Sequence, residues 1–135
     1  MDAIELFKKA AMAMQTDYRY LALDAARRAA DEDKELQDLI GDFNLARMDL
    51  ENEMGKDDRD DAHIAQLNMK IGDLYNKAMN HPSMLAYNEA KAEADQMIAY
   101  IDAIINTAMN GGDPMLVQEP AGGCTGSCSS CAGCH

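Results

Sequence analysis

The chain has 135 residues, 47% of them hydrophobic, and carries 24 Asp and Glu against 12 Lys and Arg, for a net charge of −12. That length fits one domain with an appendage. The only adjacent bases are Lys8–Lys9 and Arg27–Arg28, and none follows Lys91, which argues against direct binding to the phosphate backbone of nucleic acid.

Only 5 Tyr and 2 Phe are aromatic, while 11 Met and many Ala supply the apolar total. Ala and Met favour helix over strand. The expected fold is therefore all-α, an antiparallel bundle of about five helices with a long C-terminal one, with a shallow aliphatic core. A short chain of long helices tends to leave an apolar stripe uncovered, which favours self-association.

In chain order, a first helix is expected over residues 2–14, with Ile4, Phe7, Ala11 and Met14 on its apolar side. Thr16 or Asp17 can cap a second helix running to about Ala30. A third is expected from Asp31 or Asp33 to Met54, with the stripe Leu36, Leu39, Phe43, Ala46, Leu50 and a stop at Gly55. An acidic turn, residues 56–60, holds the next cap. The fourth helix repeats the spacing with Ile64, Leu67, Ile71, Leu74 and Ala78. Asn80-His81-Pro82-Ser83 then makes a tight connection, with Pro82 suited to a first helical position.

The fifth helix carries Tyr87, Ala90, Ala94, Met97, Ile101, Ile104 and Ala108 and ends at Asn110-Gly111-Gly112. Alternating steps of three and four are the pattern of helices packed at a shallow angle. Ile98, Ile105 and Met109 widen the last stripe, as for a helix touching more than one neighbour. The reading divides the chain into a helical bundle and oligomerisation domain (1–110), a flexible linker (111–123) and a cysteine-rich tail (124–135).

All four cysteines lie in that tail, as Cys124-x3-Cys128-x2-Cys131-x2-Cys134, followed by His135. Only Gly, Ser, Thr and Ala separate them, so the chain can curl its thiolates round one centre without side-chain clashes. The chain opens without a basic segment leading into an apolar run, so no secretory signal is expected. Its most apolar stretch, residues 97–105, is too short to span a bilayer and is interrupted by Asp102. A cytoplasmic location is expected, and in a reducing compartment close thiols are metal ligands or redox groups more often than disulfides.

Three chemistries fit the spacing. One is an iron–sulfur cluster, of the 4Fe-4S kind, on the four cysteines, although ferredoxins order their gaps differently. Another is zinc held by all four cysteines, or by three with His135. The third is thiol redox through either Cys-x2-Cys pair, as in a thiol-redox or metal-carrier protein. The spacing Cys124-x3-Cys128-x2-Cys131 also matches radical-SAM enzymes, but those need an α/β barrel that this length of helix cannot build. No catalytic set stands out: His63 and His81 lack a neighbouring nucleophile, and the acidic pairs Asp57-Asp58 and Asp60-Asp61 read as solvated surface and helix caps.

The chain also resembles the YlbF/YmcA family of small helical bacterial regulators. The resemblance covers residues 2–112 and rests on QTDYRYL, on DEDKELQDLIGDFNLAR, on the long segment opening with HIAQLNMKIGDLYNKAMNHPSMLAYNEA, and on the closing NGG. Phe43-Asn44-x2-Arg47, Asn80-His81-Pro82 and Tyr87 with Ala90 are its most specific parts. The resemblance implies a non-enzymatic all-α subunit that forms homo- or hetero-oligomers. Some members join YmcA- and YaaT-type proteins in a complex carrying iron–sulfur clusters. That complex modulates RNase Y, and through mRNA processing affects competence, biofilm formation and sporulation. On that footing Cys124, Cys128, Cys131 and Cys134 would be cluster ligands. The competing reading is a helical scaffold with a structural zinc tail.

Overall fold

The computed structural model describes residues 2–121, in which there are five α-helices and no strand. They are α1 (Ala3–Met14), α2 (Tyr18–Glu32), α3 (Lys34–Met54), α4 (Asp61–Met79) and α5 (Pro82–Met109), followed by one 3-10 turn at Pro114–Leu116. The all-α class is as the composition predicts.

Each start has a local cause. Asp2 opens α1 with a reciprocal capping box: its carboxylate accepts from the Glu5 N–H at 2.9 Å, and the Glu5 carboxylate accepts from the Asp2 N–H at 3.3 Å. Of the two candidates for the second cap, Asp17 serves, accepting from the Arg19 N–H at 2.8 Å. The Thr16 hydroxyl instead donates back to the Ala13 carbonyl at 2.8 Å, finishing α1. Asp33 alone separates α2 from α3, so α2 runs two residues past the expected Ala30. The Asp33 carboxylate accepts from the Leu36 N–H at 3.1 Å. Asp60 caps α4 by accepting from Ala62 and His63, and Pro82 is the first residue of α5.

Gly55 ends α3 at the expected place but not by the expected conformation. Its φ of −80° is right-handed, and a side chain there would meet only ordinary contacts. The left-handed terminator is Gly111, φ 82°, at the end of α5, where the Gly112 N–H donates to the Thr107 carbonyl at 2.9 Å.

The described residues fall into two compact units, one of residues 2–24 and 88–121, the other of residues 25–87. In the second unit α3 and α4 form the principal helix–helix contact, an αα-hairpin across the turn at 55–60. The expected stripes are the ones that meet: Leu36, Ala46, Leu67 and Ala78 are buried, while Leu39, Phe43, Leu50, Ile64, Ile71 and Leu74 are half-buried. Tyr75 meets Phe43 with ring centroids 6.1 Å apart, and the Arg47 guanidinium lies 5.8 Å from the Phe43 ring centre. The Phe-Asn-x2-Arg pattern is thus one cation–π turn of α3. Where α2 leads into α3, a small cluster gathers Ala30, Leu36 and Ala78 with Leu39, Ile40 and Met84.

In the first unit Ala90, Ala94 and Met97 of α5 are buried. The widening of that stripe is only partial. Ile105 is half-buried, but Ile98 is 46% and Met109 81% exposed. No residue of α1 is buried: of its expected apolar side Ile4, Phe7 and Ala11 are exposed and Met14 is half-buried.

Candidate functional site: the root of the cysteine tail

The residues with the strongest chemical signal, Cys124, Cys128, Cys131, Cys134 and His135, lie outside the described residues, as does the end of the 111–123 segment. What the structure does define is the path of the chain leading toward them.

After Gly111 and Gly112 turn the chain, the Asp113 carboxylate accepts from the Met115 N–H at 2.9 Å and starts the 3-10 turn. Pro114 suits that position because its fixed φ needs no amide donor. The Val117 carbonyl then accepts from the Tyr100 hydroxyl at 3.0 Å. Tyr100 precedes the end of α5 by nine residues, about 13 Å along the axis. The chain therefore doubles back along the last turns of α5 and is tied at Tyr100, and is not released from the helix tip. Val117 is half-buried at the tie, while Met115 and Leu116 stay exposed.

Arg19 lies in the same unit. Its guanidinium is held by Asp17, with Nε and Nη2 at 2.9 and 3.0 Å from the two carboxylate oxygens. That two-pronged bond, with the Arg19 N–H, lowers the Asp17 carboxyl from 3.8 to about 2. The same bond to Asp17 raises the Arg19 pKa, with Glu119 making the smallest of the contributions.

A second cluster, which the sequence alone does not reveal, ties residues distant in the chain. The Ser83 hydroxyl donates to Asp33 Oδ2 at 2.6 Å, across 50 positions of sequence. His81 Nδ1 accepts from the Ser83 N–H at 3.2 Å, and its Nε2 faces Asp33 and Glu35 at 3.7 and 3.8 Å. The Ser83 hydroxyl bond, followed by the Leu36 N–H, lowers the Asp33 pKa. Serine, histidine and carboxylate come together, but not as a nucleophile and its base. The hydroxyl gives its hydrogen to the carboxylate, and the Nδ1 lone pair is engaged by a backbone amide. This is the cap that joins the start of α5 to the start of α3. The Asn80-His81-Pro82-Ser83 sequence pointed to the turn; nothing local pointed to Asp33.

Beside it opens a cavity of about 210 Å³, lined by apolar Ala30, Leu36, Ile40 and Met84 together with Arg27, Asp31, Gln37 and Tyr87. That is smaller than the usual small-molecule site of roughly 300–1,000 Å³. Among the described residues no group of three or more His, Cys, Asp and Glu is placed to hold a metal ion. No helix among them is long and apolar enough to cross a membrane.

Neither curated proteins nor solved structures give a significant match to the chain. The family model described as "Control of competence regulator ComK, YlbF/YmcA" matches residues 4–110. That span takes in all five helices, the Phe43–Arg47 turn and the His81 cap, and stops before the chain doubles back. The chain belongs to the YlbF/YmcA family, a family of regulators.

Proposed function

We propose that this chain is a cytoplasmic, non-enzymatic adaptor subunit that binds a 4Fe-4S cluster through Cys124, Cys128, Cys131 and Cys134. It acts with YmcA- and YaaT-type proteins in a complex that modulates RNase Y-dependent mRNA processing, and so competence, biofilm formation and sporulation. The observation that carries this reading is the division of labour along the chain. The helical region has the family pattern and no evident catalytic set, while every thiol lies beyond residue 110.

The donor set fits the cluster. Four thiols separated by two or three small residues supply the four thiolates such a cluster takes. When bound, the cluster supplies a one-electron couple and a centre sensitive to oxygen and iron supply. The chain's own part is to provide the thiolates and to route them. Tyr100 holds the Val117 carbonyl, so the ligands begin seven residues beyond a fixed point on α5. That span allows at most about 24 Å between Val117 and Cys124. Residues 92–135 contain no Lys or Arg to offset the cluster's negative charge, so the basic groups that stabilise it come from a partner subunit.

His135 beside Cys134 favours a second reading, structural zinc on three thiolates and an imidazole. Purification without oxygen, followed by metal and acid-labile sulfide analysis, separates the two. Brown protein with iron and sulfide in equal amounts is expected. Colourless protein with one zinc per chain would transfer the tail to the scaffold reading. Metal-free protein with an equilibrating disulfide would make it a thiol-redox or carrier tail.

A further inference from the structure

The cavity of about 210 Å³ beside the His81 cap lies wholly within the unit of residues 25–87. Its lining comes from the end of α2, the start of α3 and the start of α5. Much of it is apolar: Leu36 is buried, and Ile40 and Met84 are half-buried. An apolar cavity of ~150 Å³ takes up benzene. This one therefore suits a ligand with a single aliphatic group, and is too small for a nucleotide.

Two opposite charges complete the lining. Arg27 and Asp31 stand four residues apart on α2, which sets their Cβ atoms about 6 Å apart on one helix face. They do not neutralise each other, and among the described residues neither side chain has an ion-pair or hydrogen-bond partner. A base that precedes the acid is the weaker order for such a pair. The other polar groups nearby are engaged. Asp33 accepts from Ser83 and Leu36, and the Gln37 amide donates to the Ala30 carbonyl at 2.9 Å.

We propose that this cavity binds a free apolar α-amino acid of leucine or methionine size. Its side chain packs on Leu36, Ile40 and Met84, its carboxylate meets Arg27 and its ammonium meets Asp31. An α-amino acid carries both charges on one carbon, so a single small molecule bridges the two side chains. Charge selects this occupant over its rivals. A leucine inside a partner polypeptide has neither charge and leaves Arg27 and Asp31 as they are. A short fatty acid satisfies Arg27 but brings its carboxylate beside Asp31. The inference goes beyond the adaptor reading and uses none of the tail residues on which the cluster depends.

Isothermal titration of L-leucine into the full chain, prepared without oxygen, tests it, with methyl-labelled methionine NMR to locate the ligand. Saturable binding is expected, with the Met84 methyl resonance shifted and the thermal midpoint rising with leucine. Isocaproate, which lacks the ammonium, and L-leucinamide, which lacks the carboxylate, should each bind at least about ten-fold more weakly. Asp31→Asn should weaken L-leucine about ten-fold without weakening isocaproate. Arg27→Gln should weaken L-leucine likewise and spare L-leucinamide. Both side chains are exposed, so helical circular dichroism should not change. No saturable binding, an unmoved Met84 methyl, isocaproate as tight as leucine, or variants without effect would each overturn the proposal. So would N-acetyl-L-leucinamide binding as tightly as L-leucine, which would assign the cavity to a side chain of a partner polypeptide. None of these outcomes bears on iron or sulfide content, so this proposal and the cluster reading fail separately.

Discussion

Glu53 is the charged side chain that α3 buries, 7% exposed. It continues the apolar stripe one step past Leu50, where a hydrophobic residue is expected. Its two oxygens explain the exception: one accepts from Lys56 Nζ at 2.8 Å and the other from the Asp60 N–H at 2.8 Å. The carboxylate thus closes the 55–60 turn from inside, and the Lys56 bond, then the Asp60 amide, holds its pKa below the ordinary 4.5. Because the folded pKa is depressed, the stabilisation is complete above about pH 4.5 and is lost as pH falls through the folded value. Glu53→Gln keeps an acceptor for Asp60 and loses the charge on Lys56. Its urea midpoint should fall below the wild type near neutrality, and the two should converge in acid. A gap that persists in acid would mean that packing, and not charge, sets the difference. The sequence carried a signal for this residue, an acid in register with a stripe and a lysine three positions on, but equally an acid on a solvated turn. Only the fold brings the Asp60 amide to it.

At the scale of the element, the α3–α4 hairpin is the part most readable from sequence. Steps of three and four fix which side of each helix is apolar, and two such stripes joined by a short polar turn have little choice but to face each other. Leu36, 0% exposed, sits among Ala30, Ala78, Leu39, Ile40 and Met84. Leu36→Ala should cost about 2–3 kcal/mol, toward the low end for such truncations, because the vacated space joins a cavity already open to solvent. Chemical denaturation with an unchanged slope would measure it. A loss below about 1 kcal/mol would show that the cluster around α2 collapses to fill the gap. Helix α1 marks the limit of the same reasoning. Periodicity identified Ile4 and Phe7 as an apolar side, and that side exists, but period says nothing about what covers it. Ile98 and Met109 on α5 went the same way. The His81–Ser83–Asp33 cap was illegible for another reason, since its partners are far apart in sequence and each alone is an ordinary capping residue.

Over the whole chain, the sequence separates two kinds of material. Residues 4–110 carry the family pattern and the helices. Residues 122–135 contain Gly, Ser, Thr, Ala, Cys and His, with no large apolar side chain to contribute to a core. Such a segment has little hydrophobic area to offset its ordering entropy, so its substitution should leave the helices indifferent. Cys128→Ser with Cys131→Ser removes two of the four proposed ligands, and a cluster with only two thiolates left should not survive purification. The expected result is protein without iron or sulfide whose helical circular dichroism and thermal midpoint match those of the metal-free wild type. The comparison must use metal-free protein, because a cofactor that binds only the folded chain raises its apparent stability by mass action. If the variant instead loses helix, the tail is part of the core and the two-part organisation is wrong. If helix and cofactor both persist, the ligands are not these cysteines.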